Sequence, residues 1–289
     1  MQQEKYMQLN VKNEYASLKS VAYCLGLYVP VAKSYVTQDP EFHKFHSLKE
    51  TWDINLLIQQ QEAFLELLQS YNVDLIEIEA KKTLPWQMYT RDVAFVIGDK
   101  IFYSQNRKFK ERNGEFDQLA NRINQLSIDK KQCIEIVSGQ IEGGDVMPTD
   151  DQVLVGLSSR TSQEAIDELA QYVDVKVLNL GENIMHLDTR LMIVSKDIAI
   201  IHRSSFNEKD IEYLQKKYTL IEVSDEEAKL LATNVVLLNP ETIIVEQQQK
   251  RLQNELKQHG FKIEKLSYSE PIKLGGSFRC TSLTLSREP

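Results

Sequence analysis

The sequence predicts an α/β fold in which one small unit recurs about five times around a closed domain. Three observations carry that prediction. Short apolar runs of strand character alternate with amphipathic helical stretches. The order of two strands, a helix and another strand repeats with a period of roughly 50 residues, at the upper end for repeat architectures. No linker rich in Pro, Gly or Ser divides the 289 residues, so a single domain is expected to span 1–289.

Leu18 to Leu25 reads as a first strand closing into the turn from Gly26 to Pro30. Ile54 to Tyr71 spaces Leu56, Leu57, Phe64, Leu65, Leu67 and Leu68 among Gln and Glu as an amphipathic helix does, and Asp74 to Glu79 follows as a strand. Val93 to Ile97 and Lys100 to Tyr103 flank Gly98-Asp99, a hairpin signal. Helix Phe116 to Leu126 and strand Cys133 to Val137 complete that unit. In the next, strand Val153 to Gly156 precedes a helix from Ser162 to Tyr172, capped by Thr161 or Ser162, and strand Val173 to Leu178. Leu191 to Val194 and Ile198 to Ile201 pair about Lys196-Asp197, with helix Glu208 to Lys217 and strand Thr219 to Val223 behind them. Val235 to Leu238 and Ile243 to Val245 pair around Pro240, followed by helix Gln247 to His259 and strand Phe261 to Leu266. Thr281 to Leu285 is a last short strand. A doubly wound sheet would share these elements, but GxGxxG and GxxxxGK[ST] are both absent, so a nucleotide site lacks its usual support.

A net charge of −8 with scattered Lys and Arg argues against nucleic-acid binding, which needs a concentrated basic face. It suits a small cationic substrate. No apolar run approaches the roughly 18 residues of a membrane span. The opening Met1 to Tyr6 has no signal-peptide character. Three cysteines, Cys24, Cys133 and Cys280, form no CxxC pair, which speaks against disulfides or structural zinc and fits a reducing cytoplasm. HExxH is absent too, so neither a metal nor another cofactor is expected. Association into a homo-oligomer is left open.

Polar clusters interrupt the pattern where a core needs none. Asp92 ends Met88-Tyr89-Thr90-Arg91-Asp92 directly before an apolar strand, where it serves a turn as well as it serves a ligand. Glu142 and Asp145 flank Gly143-Gly144, which lets both carboxylates face one cavity. His186 and Asp188 fall on the same side of an extended segment, and a histidine beside a carboxylate is the natural acid/base unit near neutral pH. Arg160, in the run from Gly156 to Ser162, can clamp a carboxylate or sit on the surface. Cys280 follows Gly275-Gly276; a free cysteine is most often a small buried hydrophobe. Dispersed over the repeats, the set is what a site on the axis of a ring requires. A cysteine with a distant histidine and several acids points to covalent chemistry on a cationic carbon.

Tyr89-Thr90-Arg91-Asp92, Glu142-Gly143-Gly144-Asp145, Gly156 to Thr161, His186-Leu187-Asp188-Thr189 and Gly275 to Leu285, in that order, resemble the guanidine-modifying enzymes. These comprise arginine deiminases, dimethylarginine dimethylaminohydrolases and amidinotransferases, and the resemblance runs from about Arg91 to the end of the sequence. It implies the pentein fold, a five-bladed α/β propeller of ββαβ-type repeats. It further implies Cys280 as nucleophile, His186 as general acid and base, and Glu142 as the acid that orients the histidine. By the same resemblance Asp92 and Asp188 grip the guanidinium, and Asp145 makes a substrate or structural contact. Arg160 binds the amino-acid carboxylate, and Arg112 does so by a looser match, with Arg107 as rival. The implied activity is hydrolysis at the guanidinium carbon of arginine or a methylated arginine through a covalent S-amidino intermediate, giving citrulline and ammonia or an alkylamine. Transfer to an amine, or a silent arginine-binding pentein, are the alternatives. Thr-Arg-Asp with His-Leu-Asp-Thr is the deiminase pattern; the chain length and the helix before Asp74 look more like the dimethylarginine group. Residues around His43, His46 and Pro30 are expected to form a lid or rim.

Overall fold

Apolar runs bounded by turns become the central strands of five three-stranded sheets in the computed structural model, which describes residues 7–30, 52–104, 112–126, 128–180 and 183–288. The rim expected at His43 and His46, and the rival Arg107, lie outside the described residues. The first sheet holds β1 (Ser17–Tyr23) and β2 (Asp74–Glu77), joined through helix α1 (Ile54–Ser70). After a single helical turn, α2 (Thr90–Val93), come β3 (Ala94–Ile97), β4 (Lys100–Tyr103), α3 (Glu115–Gln125) and β5 (Cys133–Glu135). The third sheet has β6 (Val146–Pro148), β7 (Val153–Leu157) and β8 (Val175–Asn179), with α4 (Gln163–Leu169) between the last two. The fourth has β9 (Leu191–Ile193), β10 (Ile198–Ile201), α5 (Glu208–Lys217) and β11 (Thr219–Glu222). A short α6 (Asp225–Lys229) leads to β12 (Val236–Asn239), β13 (Thr242–Glu246), α7 (Lys250–Gln258) and β14 (Lys262–Leu266). Then α8 (Ser269–Lys273) precedes β15 (Leu283–Glu288).

In every sheet the central strand pairs antiparallel on one side and parallel on the other. A parallel step needs a crossover long enough for a helix, which is why each unit reads strand, strand, helix, strand. The first unit borrows its antiparallel strand from far away: β15 pairs with β1, Val21 opposite Thr284 and Ala22 opposite Leu283. β1 also lies against β12, and β15 against β3, so the first unit sits between the fifth and the second. This closes the α/β propeller that the repeat count and the resemblance implied.

The central strands are buried on both faces, which explains their unbroken apolar runs. Ile243, Ile244 and Val245 of β13 have no exposed surface, and each such side chain contributes about 1.5–3 kcal/mol. The helices cover the outside with one apolar stripe. In α1, Asp53 caps by accepting from the Asn55 and Leu56 amides, and Leu57, Phe64 and Leu68 face inward. Ser162 caps α4 through the Ala165 amide. Among the described residues no helix is long and apolar enough to cross a membrane.

Several boundaries differ from expectation. Val93 closes the α2 turn instead of opening β3. β6 was not anticipated, because three residues ending in proline carry no period. The helix expected from Gln247 begins at Lys250, since Gln249 N donates to Glu246 O in a preceding turn. The last strand starts at Leu283, because Thr281 N bonds to Ser277 O and keeps Cys280 in a turn.

Candidate active site

Each unit enters its first strand through a short turn, and these turns pack on one another. α2 lies against the Gly143–Asp145 turn, which lies against the Leu187–Thr189 turn, and α2 also meets β15. Arg91 N donates to Cys280 O (3.2 Å), joining the α2 turn directly to the one that carries the cysteine.

His186 is buried, bonded at one ring nitrogen and facing a second carboxylate at the other. Nε2 lies 2.8 Å from Glu142 Oε2, and Nδ1 lies 3.8 Å from Asp92 Oδ1. Burial disfavours the imidazolium, but the Asp92 charge, the bond to Glu142 and the Asp145 charge outweigh it and raise the pKa to about 9. At neutral pH both nitrogens therefore carry protons, and the ring rests as an acid. Gly144 makes room for it: a Cβ there would stand 2.6 Å from His186 Cγ. Gly144→Ala should accordingly push the ring off Glu142 and lower its titration midpoint well below 9, read by NMR of the histidine Cε1–H resonances. A midpoint unchanged near 9 would refute this packing.

Asp92 Oδ2 accepts from Arg112 Nη1 at 2.7 Å, and Arg112 is itself pinned by Glu115 (2.8 Å). Arg160 Nη1 approaches Glu142 Oε2 at 3.5 Å, and Arg112 Nη1 stands 3.9 Å from the same oxygen. Both arginines named from the sequence thus join this cluster, buried, on its acid side. Asp145 is fully buried and accepts from Ser158 Oγ (2.6 Å), Thr161 Oγ1 (2.7 Å) and Leu187 N (2.8 Å), so it locks the turn that presents His186. Burial pushes its carboxyl up to about 7 against the pull of His186 and its hydroxyl donors.

Cys280 is buried, with Asp188 Oδ2 at 3.9 Å from its sulfur. Burial, then the charges of Asp188 and Asp92, hold its thiol well above the ordinary value. At rest the cysteine is thus a thiol near the Asp188 and Asp92 carboxylates, and Asp92 also faces the protonated His186. Asp188 accepts from Arg279 Nη1 (2.7 Å), while its Oδ1, also buried, has no hydrogen-bond partner among the described residues. The glycines before the cysteine have separate uses. Gly275 takes φ 92°, and a Cβ on Gly276 would meet the Tyr89 ring at 2.2 Å.

Asp92, Glu142 and His186 bring one ligand atom each within 4.8 Å of one another, a spacing a metal ion fits. Two guanidinium groups already stand against Glu142, however, placing positive charge where such an ion would sit.

Four residues were not singled out from the sequence. Arg279 and Glu14 form a buried pair at 2.8 Å beneath the cysteine, with Arg91 Nη2 on the same Glu14 oxygen. Glu115 holds Arg112, and Asn234 touches Cys280. Arg279 adjoins Cys280 in sequence; Asn234 stands just before a unit's first strand, as Asp92 and Asp188 do, and comparing the units' entries would have found it.

The chain is similar to known proteins over most of its length. A family model described as N,N dimethylarginine dimethylhydrolase, eukaryotic, matches residues 31–287. The uncharacterized protein YkgA of Bacillus subtilis (strain 168) is 32% identical over 280 residues, covering 96% of this chain and 94% of that one. The N-terminal domain of ArgZ, solved with a covalently bound reaction intermediate, superposes with a TM-score of 0.81 at 19% identity over 93% of this chain and 98% of that one. A dimethylarginine dimethylaminohydrolase from Pseudomonas aeruginosa, solved as a cysteine-to-serine variant with citrulline, gives 0.76 at 18% identity over 92% and 99%. At those identities the two structures speak for the fold, whereas the family model spans most of the sequence: the chain belongs to the N,N-dimethylarginine dimethylhydrolase family of the pentein superfamily.

Proposed function

We propose that this chain, as one catalytic domain over 1–289, hydrolyses the guanidinium carbon of arginine or a methylated arginine, with Cys280 as nucleophile. The observation that carries the reading is the convergence of a buried cysteine, two carboxylates and a histidine held by a third carboxylate. Asp92 and Asp188 grip the planar cation, which fixes the line of attack. Its positive charge offsets the two acids that keep Cys280 protonated, so the thiol loses its proton to solvent as substrate binds.

The thiolate then forms a C–S bond to the guanidinium carbon. His186, oriented through Nε2 by Glu142, gives a proton to the departing nitrogen from the Asp92 side as the C–N bond breaks. Ammonia or an alkylamine leaves, and an S-amidino group remains on Cys280. Neutral His186 takes a proton from water, whose oxygen adds to the carbon; the C–S bond breaks and the ureido product departs. Arg160 binds the substrate carboxylate, Arg112, bonded to Asp92 and Glu115, orients the Asp92 carboxylate instead, and Asp145 holds the histidine turn.

The second carboxylate favours arginine itself. Each carboxylate needs N–H donors, which an unmodified guanidinium supplies and a dimethylated nitrogen does not. A panel of arginine, methylated arginines and agmatine, with and without an amine acceptor, tests this by citrulline or ureido-group formation. No turnover of any of them would refute the reading, and dependence on the amine would make the protein a transferase. His186→Ala should lower kcat about 100- to 10,000-fold. Because the free thiol titrates above His186, kcat/KM in the unsubstituted protein should rise with pH and level off near 9, where His186 loses its proton. That break near 9 should be missing in the variant.

A further inference from the structure

Four of the five turns that lead into a first strand carry the residues discussed so far: Asp92 before β3, Glu142 and Asp145 before β6, His186 and Asp188 before β9, and Cys280 before β15. The fifth, before β12, carries Asn234, which is 1% exposed and used by none of those roles. Its carboxamide oxygen accepts from the backbone amides of Arg279 (3.0 Å) and Cys280 (3.2 Å). Two N–H donors require an oxygen there, so the amide group faces the other way, with Nδ2 3.1 Å from Cys280 Sγ. The orientation is therefore set by chemistry, and the group beside the sulfur is a donor.

The turn that presents Asn234 is itself fixed. Leu231 holds φ 54°, a left-handed conformation that a branched side chain adopts only under constraint, and Asn234 N donates to Leu231 O (2.9 Å). Thr233 Oγ1 donates to Asp188 O (2.9 Å), so one turn binds the segments of both Cys280 and Asp188.

We infer that Asn234 is a positioning residue that clamps the Cys280 backbone and donates a hydrogen bond to its sulfur, stabilising the thiolate over the thiol. The inference rests on reading Cys280 as the nucleophile. The ionisable groups around the sulfur make such a donor consequential. Asp188 and Asp92 oppose ionisation, Arg279 favours it, and Tyr89 and Tyr268 are buried neutral phenols bonded to Leu274 O and Thr281 Oγ1. A donor to the charged form lowers a pKa, and a carboxylate in its place would raise it.

The test is alkylation of Cys280 by iodoacetamide as a function of pH, with peptide mass spectrometry separating it from Cys24 and Cys133. Asn234→Asp should move the midpoint upward and slow alkylation at pH 8 roughly tenfold or more. Asn234→Leu, which removes the donor without adding charge and serves where the acidic variant does not fold, should slow it several-fold. Both should lower kcat more than they raise KM for arginine. Midpoints of both variants coinciding with the unsubstituted protein would overturn the inference. Because alkylation needs no substrate, the functional reading is tested separately: a protein that turns over no guanidino compound yet shows the shifted midpoints fails that reading alone.

Discussion

Cys280→Ser is expected to abolish guanidine hydrolysis, lowering kcat by about 10,000-fold or more, with little effect on the fold. The exchange of sulfur for oxygen removes the nucleophile of the proposed covalent step. An alcohol beside Asp188 and Asp92 cannot ionise near neutral pH, even when a cation binds. Volume hardly changes, and the Asn234 oxygen still receives the Arg279 and Cys280-position amides, so the melting temperature should move by no more than a few degrees. Substrate should bind to the variant with near-normal affinity, since the carboxylates and arginines remain. Calorimetric titration with arginine, beside a citrulline assay, checks both halves. Residual turnover within tenfold of normal would show that another residue performs the chemistry.

The second large effect concerns stability. Glu14→Gln is expected to destabilise the fold by about 3–5 kcal/mol, because it leaves buried Arg91 without its ion-pair partner and Arg279 with Asp188 alone. Glu14 is 1% exposed and receives both Arg91 and Arg279, which are 2% exposed. Arg279 also donates to Val146 O at 2.8 Å, so the loss reaches the third unit as well. Burial would push the Glu14 carboxyl up, but Arg279, Arg91 and Arg287 override it and hold it down at about 2. A carboxyl depressed in the folded state contributes stability above its unfolded pKa, here about 4.5, and loses it as the pH falls toward 2. That contribution is about 3 kcal/mol at neutral pH. Urea unfolding at pH 7 and at pH 3 should show the gap between the two proteins narrowing at the lower pH. A variant as stable as the parent at pH 7 would contradict the structure of this cluster.

What could be read beforehand follows from what a sequence encodes locally. Central strands such as Val153–Leu157 and Ile198–Ile201 are unbroken apolar runs, and helices such as Glu208–Lys217 carry their period with them, so units and repeat were legible. Asp92 and His186 stood out as polar residues at strand edges, Glu142 as an acid beside a glycine pair, and Cys280 only once the others were set beside it. The Thr90–Val93 turn did not, since four residues define no period. Nor did Val146–Pro148, which is a strand only because β7 lies beside it. Glu14 and Arg279 are 265 positions apart, and nothing in the spacing of either announces the other. Asp188 shows the same limit. The motif suggested a ligand for the substrate cation, and the structure adds that one of its oxygens already holds an internal guanidinium.

The strand that closes the propeller begins three residues after Cys280, and its partner β1 lies near the other end of the sequence. Contacts of such span form late, because a long loop must close before they are rewarded. On the ribosome, four units can emerge and fold before Cys280 is made. The proposed nucleophile therefore joins its surroundings last: the cysteine, its asparagine clamp and the Glu14–Arg279 pair come together only as the last strand seats. Closing the ring and completing the proposed site are thus a single event.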